Sequence, residues 1–186
     1  AQQAALDGKW VAGYIAYEAA PAFDPAFTCH DHDGKLPLIW FAVFSTPQSL
    51  SPQDADSLWQ NEAESCAQNL SLPLDADSYD AAIGRIHDYL AAGDAYQINF
   101  TMQAAFDWQG SPRGLYRCLR TAQRTAHSAM IETDDWAILS LSPELFLELE
   151  GDQLTTRPMK GTAPRGLTLK ADQQAAKALH EDPKSR

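Results

Sequence analysis

No apolar run in this 186-residue sequence approaches the roughly 20 residues that a membrane-crossing helix needs. The opening stretch, Ala1 to Lys9, lacks the charged and apolar segments of a signal peptide. Cysteine is scarce. Cys29, Cys66 and Cys118 are odd in number and far apart, which argues against a disulfide framework and fits a reducing cytoplasm. Positive charge is short as well: 14 Lys and Arg stand against 25 Asp and Glu, a net charge of −11, which disfavours a protein that tracks nucleic-acid phosphates. The sequence has no phosphate-cradling loop, dinucleotide fingerprint or HExxH zinc motif, and no internal repeat or low-complexity tract. Ser140 and Ser142 have no G-x-S-x-G setting that would mark a hydrolase.

What is there is an ordinary globular composition, 45% hydrophobic and 21% charged, enough for one domain with a core or part of a larger one. Trp10 to Glu18 and Leu38 to Ser45 are rich in β-branched and aromatic residues and read as strands. Ser51 to Asn69 opens on Ser-Pro and reads as a surface helix, with Leu70 to Asp77 a connecting loop. A second helix is predicted with Ser78 as N-cap; Tyr79, Ile83, Ile86 and Leu90 share one face, and Gly93 ends it. Ala95 to Phe106 reads as a long strand, and Ser111-Pro112 opens a helix that runs to about Thr125. Ser128 to Glu132 and Trp136 to Leu141 form strands joined by a turn at Asp134-Asp135. Leu145, Leu147 and Leu149 alternate with Phe146, Glu148 and Glu150, and Gly151-Asp152 turns that strand into a hairpin. An Ala-rich helix is expected over Thr168 to Glu181. Helices and hairpins mix without regular strand–helix alternation, so the expected class is α+β. The ending Asp182-Pro183-Lys184-Ser185-Arg186 directly after a helix reads as a cut chain.

Four stretches carry groups capable of chemistry. Cys29-His30-Asp31-His32 offers metal ligands but no second cluster, which reads more simply as a polar loop. In Gly93-Asp94-Ala95-Tyr96-Gln97-Ile98-Asn99-Phe100-Thr101, the residues Gln97, Asn99 and Thr101 would share one strand face and form a polar network that fixes the sheet. Glu144, in Ser142-Pro143-Glu144-Leu145-Phe146, sits at the mouth of an apolar strand; it is a turn residue, or a carboxylate desolvated enough to act as acid or base. From Gln153 to Ala171 there is no acidic residue, while Arg157, Lys160, Arg165 and Lys170 are all basic. Such a run is either a solvated basic face or a place where an anion is handled. Within it, two prolines and two glycines shape the backbone around Lys160, and Thr162 adds a hydroxyl and an N–H. The pattern leaves Lys160 as a salt-bridging surface group or a nucleophile.

Taken in order, these segments resemble the chorismate-utilising enzyme family, which includes anthranilate, isochorismate, salicylate and aminodeoxychorismate synthases. Gly93 to Thr101 resembles the family's G-D-x-Y-Q-x-N-x-T segment, Ser142 to Phe146 its S-P-E-x-F segment, and Arg157 to Gly166 its R-P-x-x-G-T-x-P-R-G segment. The stretch Gly13 to Pro25 is similar to the aminodeoxychorismate synthase branch. In that branch lysine precedes Gly-Thr where anthranilate and isochorismate synthases typically have alanine, and here the residue is Lys160. Met159 stands where isoleucine is usual, a volume-conserving change.

The resemblance implies a fold of antiparallel β-sheets layered with helices, and amination of chorismate to 4-amino-4-deoxychorismate for p-aminobenzoate and folate synthesis. Ammonia would come from glutamine through an amidotransferase partner. Lys160 is implied as the nucleophile, Glu144 as the acid–base group, and Thr162 and Gly161 as substrate contacts. An ordinary lysine amine is neutral in only about 1 molecule in 2,500 at pH 7, so its ammonium form must be destabilised by about 4 kcal/mol. Burial and the neighbouring Arg157 and Arg165 would act in that direction. The family uses Mg2+, and its metal-ligating glutamates are expected outside these 186 residues. The chain is therefore expected to be part of a longer one, cut at its C-terminus and at its N-terminus, and inactive alone. Residues 1–77 would be an N-terminal region and residues 78–186 the start of the catalytic core. Two rival readings stand: another chorismate enzyme such as anthranilate synthase, or a binding or docking module without chemistry.

Overall fold

The structure, a computed structural model, describes residues 1–30, 34–63, 65–159 and 161–183. Short helix α1 (Gln2–Leu6) precedes strands β1 (Trp10–Ile15) and β2 (Ile39–Phe44), followed by α2 (Pro52–Ser57), β3 (Cys66–Ser71), α3 (Ala76–Ala92), β4 (Ala105–Gln109) and α4 (Pro112–Gln123). Then come β5 (His127–Glu132), β6 (Ala137–Ser142), β7 (Leu145–Glu150), β8 (Gln153–Arg157) and α5 (Leu169–Glu181). The expected α+β class holds: among the described residues the strands pair antiparallel, two by two, as β1–β2, β3–β4, β5–β6 and β7–β8. No helix in the described residues is long and apolar enough to cross a membrane, and Cys29, Cys66 and Cys118 are free thiols. The chain divides into two compact units, residues 1–48 with 119–186, and residues 49–118.

In the first unit, β1 and β2 run in register from Trp10 opposite Phe44 to Ile15 opposite Ile39. The first strand is shorter than expected. Beyond Ile15 the chain turns into a 3-10 helix, Tyr17–Ala22, whose Pro21 has no N–H to give to a strand partner. The β5–β6 hairpin turns at Asp134-Asp135 as the sequence predicts, and the Thr133 hydroxyl oxygen accepts the Trp136 N–H at 3.2 Å. That bond fixes Trp136, whose ring meets Tyr14 at 5.8 Å and Trp40 at 5.5 Å between ring centroids, both edge to face. This T-shaped geometry is the one aromatic quadrupoles prefer. It ties the β5–β6 turn to the β1–β2 pair.

The second unit departs further from expectation. The predicted helix over Ser51 to Asn69 stops at Ser57, and Cys66–Ser71 is instead strand β3, paired with β4. Tertiary pairing decides here over local propensity. The register shifts between Gln68 and Ser71, where Asn69 takes φ 54° and its side-chain amide donates to Asp107 at 2.8 Å. Helix α3 starts three residues earlier than expected. Asp75, not Ser78, is its N-cap, and its carboxylate accepts the Ser78 N–H at 2.7 Å. That backbone bond holds the Asp75 carboxyl below its ordinary pKa. Gly93 closes the helix as predicted, in the left-handed conformation at φ 81°.

Tyr116 of α4 is buried and packs edge to face on Trp59 at 5.4 Å. Ser111 opens that helix: its hydroxyl oxygen accepts the Gly114 N–H at 2.9 Å and donates to the Glu62 carboxylate, while Ser65 donates to the Ser111 carbonyl at 3.1 Å. Gly114 is buried where a Cβ would run into the carbonyl oxygen of Ala63. Replacing a helical glycine with alanine usually gains up to about 1 kcal/mol, whereas forcing an atom into a filled backbone contact costs about 1–3 kcal/mol. The clash wins. Gly114→Ala is expected to lower the melting temperature, measured by calorimetry, by several degrees; an unchanged or raised temperature would show that the α4 start is loosely packed.

Candidate active site

Strand β6 ends at Ser142 and β7 begins at Leu145, so Pro143 and Glu144 form a tight link. Ser142 shapes it: its hydroxyl donates to the Glu144 carbonyl at 3.0 Å and accepts the Glu144 N–H at 3.2 Å. Strand β8 runs antiparallel to β7 with Arg157 opposite Leu145, and the Thr156 hydroxyl donates to the Phe146 carbonyl at 2.8 Å. The residues just after Arg157 therefore arrive beside Glu144. There the Glu144 carboxylate accepts the Met159 N–H at 2.5 Å. Glu144 is exposed, so what constrains its carboxylate is this hydrogen bond and not the burial expected at the mouth of an apolar strand.

Among the described residues between Met159 and α5 there is neither helix nor strand. Lys160 lies outside the described residues. Gly161 takes φ 69°, a left-handed conformation that side chains adopt only at a cost, and both Gly161 and Thr162 are exposed. The segment then docks on α5. Thr168 caps that helix by accepting the Ala171 N–H at 3.2 Å, and Asp172 in its first turn grips the segment. The Asp172 carboxylate receives Arg165 Nε at 2.6 Å, Arg165 Nη2 at 2.7 Å and the Gly166 N–H at 3.0 Å. Gly166 lies so close to the backbone of Ala171 and Asp172 that a Cβ would not fit.

Arg165, the expected positive neighbour of Lys160, forms a two-pronged pair with Asp172, which offsets part of its field. The Asp172 carboxyl is held below its ordinary pKa, chiefly by the Arg165 hydrogen bonds and next by the Gly166 N–H. A carboxyl depressed in this way stays ionised through neutral pH, and its contribution to the fold is lost only as pH falls through that lowered value.

The Gly93 to Thr101 motif belongs to the other unit and is not the strand that was expected; β4 starts later, at Ala105. The motif folds back along α3. Phe100 meets Tyr79 edge to face at 5.7 Å, and Gln97 donates to the Asn99 side chain at 3.3 Å. Ile98, Asn99 and Thr101 line a shallow cavity of about 410 Å³ with Ala82, Arg85 and Tyr89 of the helix. Among the described residues no group of three or more His, Cys, Asp or Glu gathers to hold a metal ion. Of the Cys29 to His32 stretch, Asp31 and His32 lie outside the described residues. The residue that sequence reasoning missed is Asp172. Its signal was present: it is the first acid after the acid-free run of Gln153 to Ala171.

The family model described as "chorismate binding enzyme" matches residues 1–186. The chain is similar to aminodeoxychorismate synthase component 1 of Salmonella typhimurium, 32% identical over 83% of this chain and 32% of that protein. It is also similar to the protein of the same name from Bacillus subtilis, 32% identical over 64% of this chain and 26% of the relative. Anthranilate synthase component 1 of Pseudomonas putida is 35% identical over 57% of this chain and 21% of the relative. The chain thus spans between a fifth and a third of the length of these curated relatives.

The Glu144–Met159 bond has a direct test in paired variants. Glutamine at 144 keeps a carbonyl oxygen to accept the Met159 N–H; alanine does not. Glu144→Ala is expected to speed hydrogen exchange at the Met159 amide, and Glu144→Gln to leave it near its original rate. Equal exchange in all three proteins would show that the bond does not hold the segment.

Proposed function

The chain belongs to the chorismate-binding enzyme family, and from that premise we propose that it supplies the nucleophile-bearing part of an enzyme that aminates chorismate to 4-amino-4-deoxychorismate. The observation that carries this reading is Lys160 placed directly before Gly161-Thr162 in the Arg157 to Gly166 stretch, the position that resembles the lysine branch of the family. Relatives named aminodeoxychorismate synthase component 1 support it.

The reaction divides in two. The neutral Lys160 amine adds to ring carbon C2 of chorismate, both conjugated ring double bonds shift, and the C4 hydroxyl leaves as water with a proton from Glu144. Ammonia then attacks C4, both double bonds shift back, and the Lys160 amine leaves C2; chorismate and ammonia become 4-amino-4-deoxychorismate and water. With one Glu144 oxygen occupied by the Met159 N–H, the other is the proton carrier. Thr162 and the Gly161 backbone contact the substrate, and the left-handed Gly161 keeps that backbone bare of a side chain. A glutamine amidotransferase supplies the ammonia in the cytoplasm. Mg2+ takes part in this reading through ligands beyond these 186 residues; the described residues offer no donor cluster for it, and no role assigned to this chain's side chains runs through a metal.

The second reading, anthranilate synthesis, is favoured by the 35% identity to the Pseudomonas putida relative. Product identity separates the two. A whole protein carrying this stretch, given chorismate, ammonia and Mg2+, is expected to yield aminodeoxychorismate by liquid chromatography. Lys160→Arg and Lys160→Ala are both expected to lose most of it, because a guanidinium keeps the charge but stays protonated and cannot attack. Near-normal turnover by Lys160→Arg would make the lysine an electrostatic anchor, and anthranilate as the main product would end the branch assignment.

A further inference from the structure

None of the described residues from Met159 to Gly166 lies in a helix or strand, yet both ends of the stretch are fixed by carboxylates from elsewhere in the fold. At one end, Glu144 accepts the Met159 N–H. At the other, Asp172 takes the Arg165 fork and the Gly166 N–H together. The two anchors differ in kind. Glu144 belongs to the chemistry proposed above; Asp172 sits on α5 and touches only Arg165, Gly166 and its own helix turn in the bonds described. We propose that Asp172 is a positioning residue that latches the Gly161–Gly166 segment to the first turn of α5, a role that rests on the amination reading for its catalytic consequence but not for its structural one.

Three observations carry it. The pairing is bidentate, and Arg165 Nε and Nη2 reach the two Asp172 oxygens in the fork geometry that fixes direction as well as distance. Asp172 has a quarter of its side chain exposed against 88% for Arg165, so the fixed partner is the helix residue and the loop residue comes to it. Gly166 presses on the α5 backbone where no Cβ fits, so the latch closes only with the loop seated on the helix. One salt bridge on an exposed surface stabilises little. Misplacing a reacting group by about 1 Å, in contrast, costs on the order of a hundredfold in rate. The latch therefore matters to the position of the segment more than to the stability of the protein.

The test uses the whole protein with three substitutions. Asp172→Ala is expected to speed hydrogen exchange in the peptide covering residues 161–167 by about tenfold while far-ultraviolet circular dichroism stays unchanged. Its turnover of chorismate should fall about tenfold or more, with a smaller change in KM. Asp172→Glu keeps the carboxylate and should recover part of both losses, which a side chain serving only as packing would not require. Arg165→Gln breaks the latch from the loop side and should reproduce Asp172→Ala, so the test survives if one variant fails to fold. Unchanged exchange overturns the latch. Faster exchange with unchanged turnover overturns its positioning role. If the original protein makes no aminodeoxychorismate, the amination reading fails, and the exchange measurement still decides whether the latch exists.

Discussion

The register of the β7–β8 hairpin is the constraint on which the candidate site depends. Leu145 stands opposite Arg157, so the chain leaving β8 must pass the residue that precedes β7, and that residue is Glu144. Two motifs separated by more than ten residues in sequence are brought together by backbone pairing before any side chain acts. A slip of one residue would turn every side chain of the strand to the other face. The pairing makes one such shift between Glu148 and Leu145, where the Thr156 hydroxyl donates to the Phe146 carbonyl, and Gly151 turns the hairpin at φ 58°. Among the described residues the long-range order comes first from paired strands, since Ala19 and Tyr116 are the hydrophobic residues buried there.

Electrostatics is then organised against the chain's overall sign. A protein with net charge −11 removes acids from the whole of Gln153 to Ala171 and places the first one, Asp172, where it meets Arg165. That arrangement spends one of the four basic residues on structure. The Arg165 guanidinium is therefore less available to an anion than the sequence count suggests.

How much of this was legible depends on the range of the interactions that decide each element. The β5–β6 and β7–β8 hairpins were readable because alternation and the turn residues Asp134-Asp135 and Gly151-Asp152 act locally. Helix α4 and helix α5 were readable from Pro112 and Thr168 for the same reason. Cys66–Ser71 was not: its polar sequence reads as helix continuation, and only pairing with β4, far along the chain, makes it a strand. The polar alternation of Gln97, Asn99 and Thr101 misled in the opposite direction, since an alternating pattern does not create a partner strand. At the site, Glu144 and the Arg157 to Gly166 stretch were visible as chemistry, but the Met159 N–H has no side-chain signature and Asp172 belongs to a helix that looked merely Ala-rich.

In the proposed amination reading, the division of labour at the site follows from what covalent catalysis asks of a backbone. A nucleophile on a long flexible side chain gains most of its rate advantage from being held, and holding works best when the backbone beneath it is fixed at both flanks. Strand or helix at this point would fix the backbone too, but would deny the left-handed conformation at Gly161. An irregular segment pinned at its ends supplies both needs: local freedom of conformation in the middle, with Glu144 on one side and the α5 turn on the other setting where that middle lies.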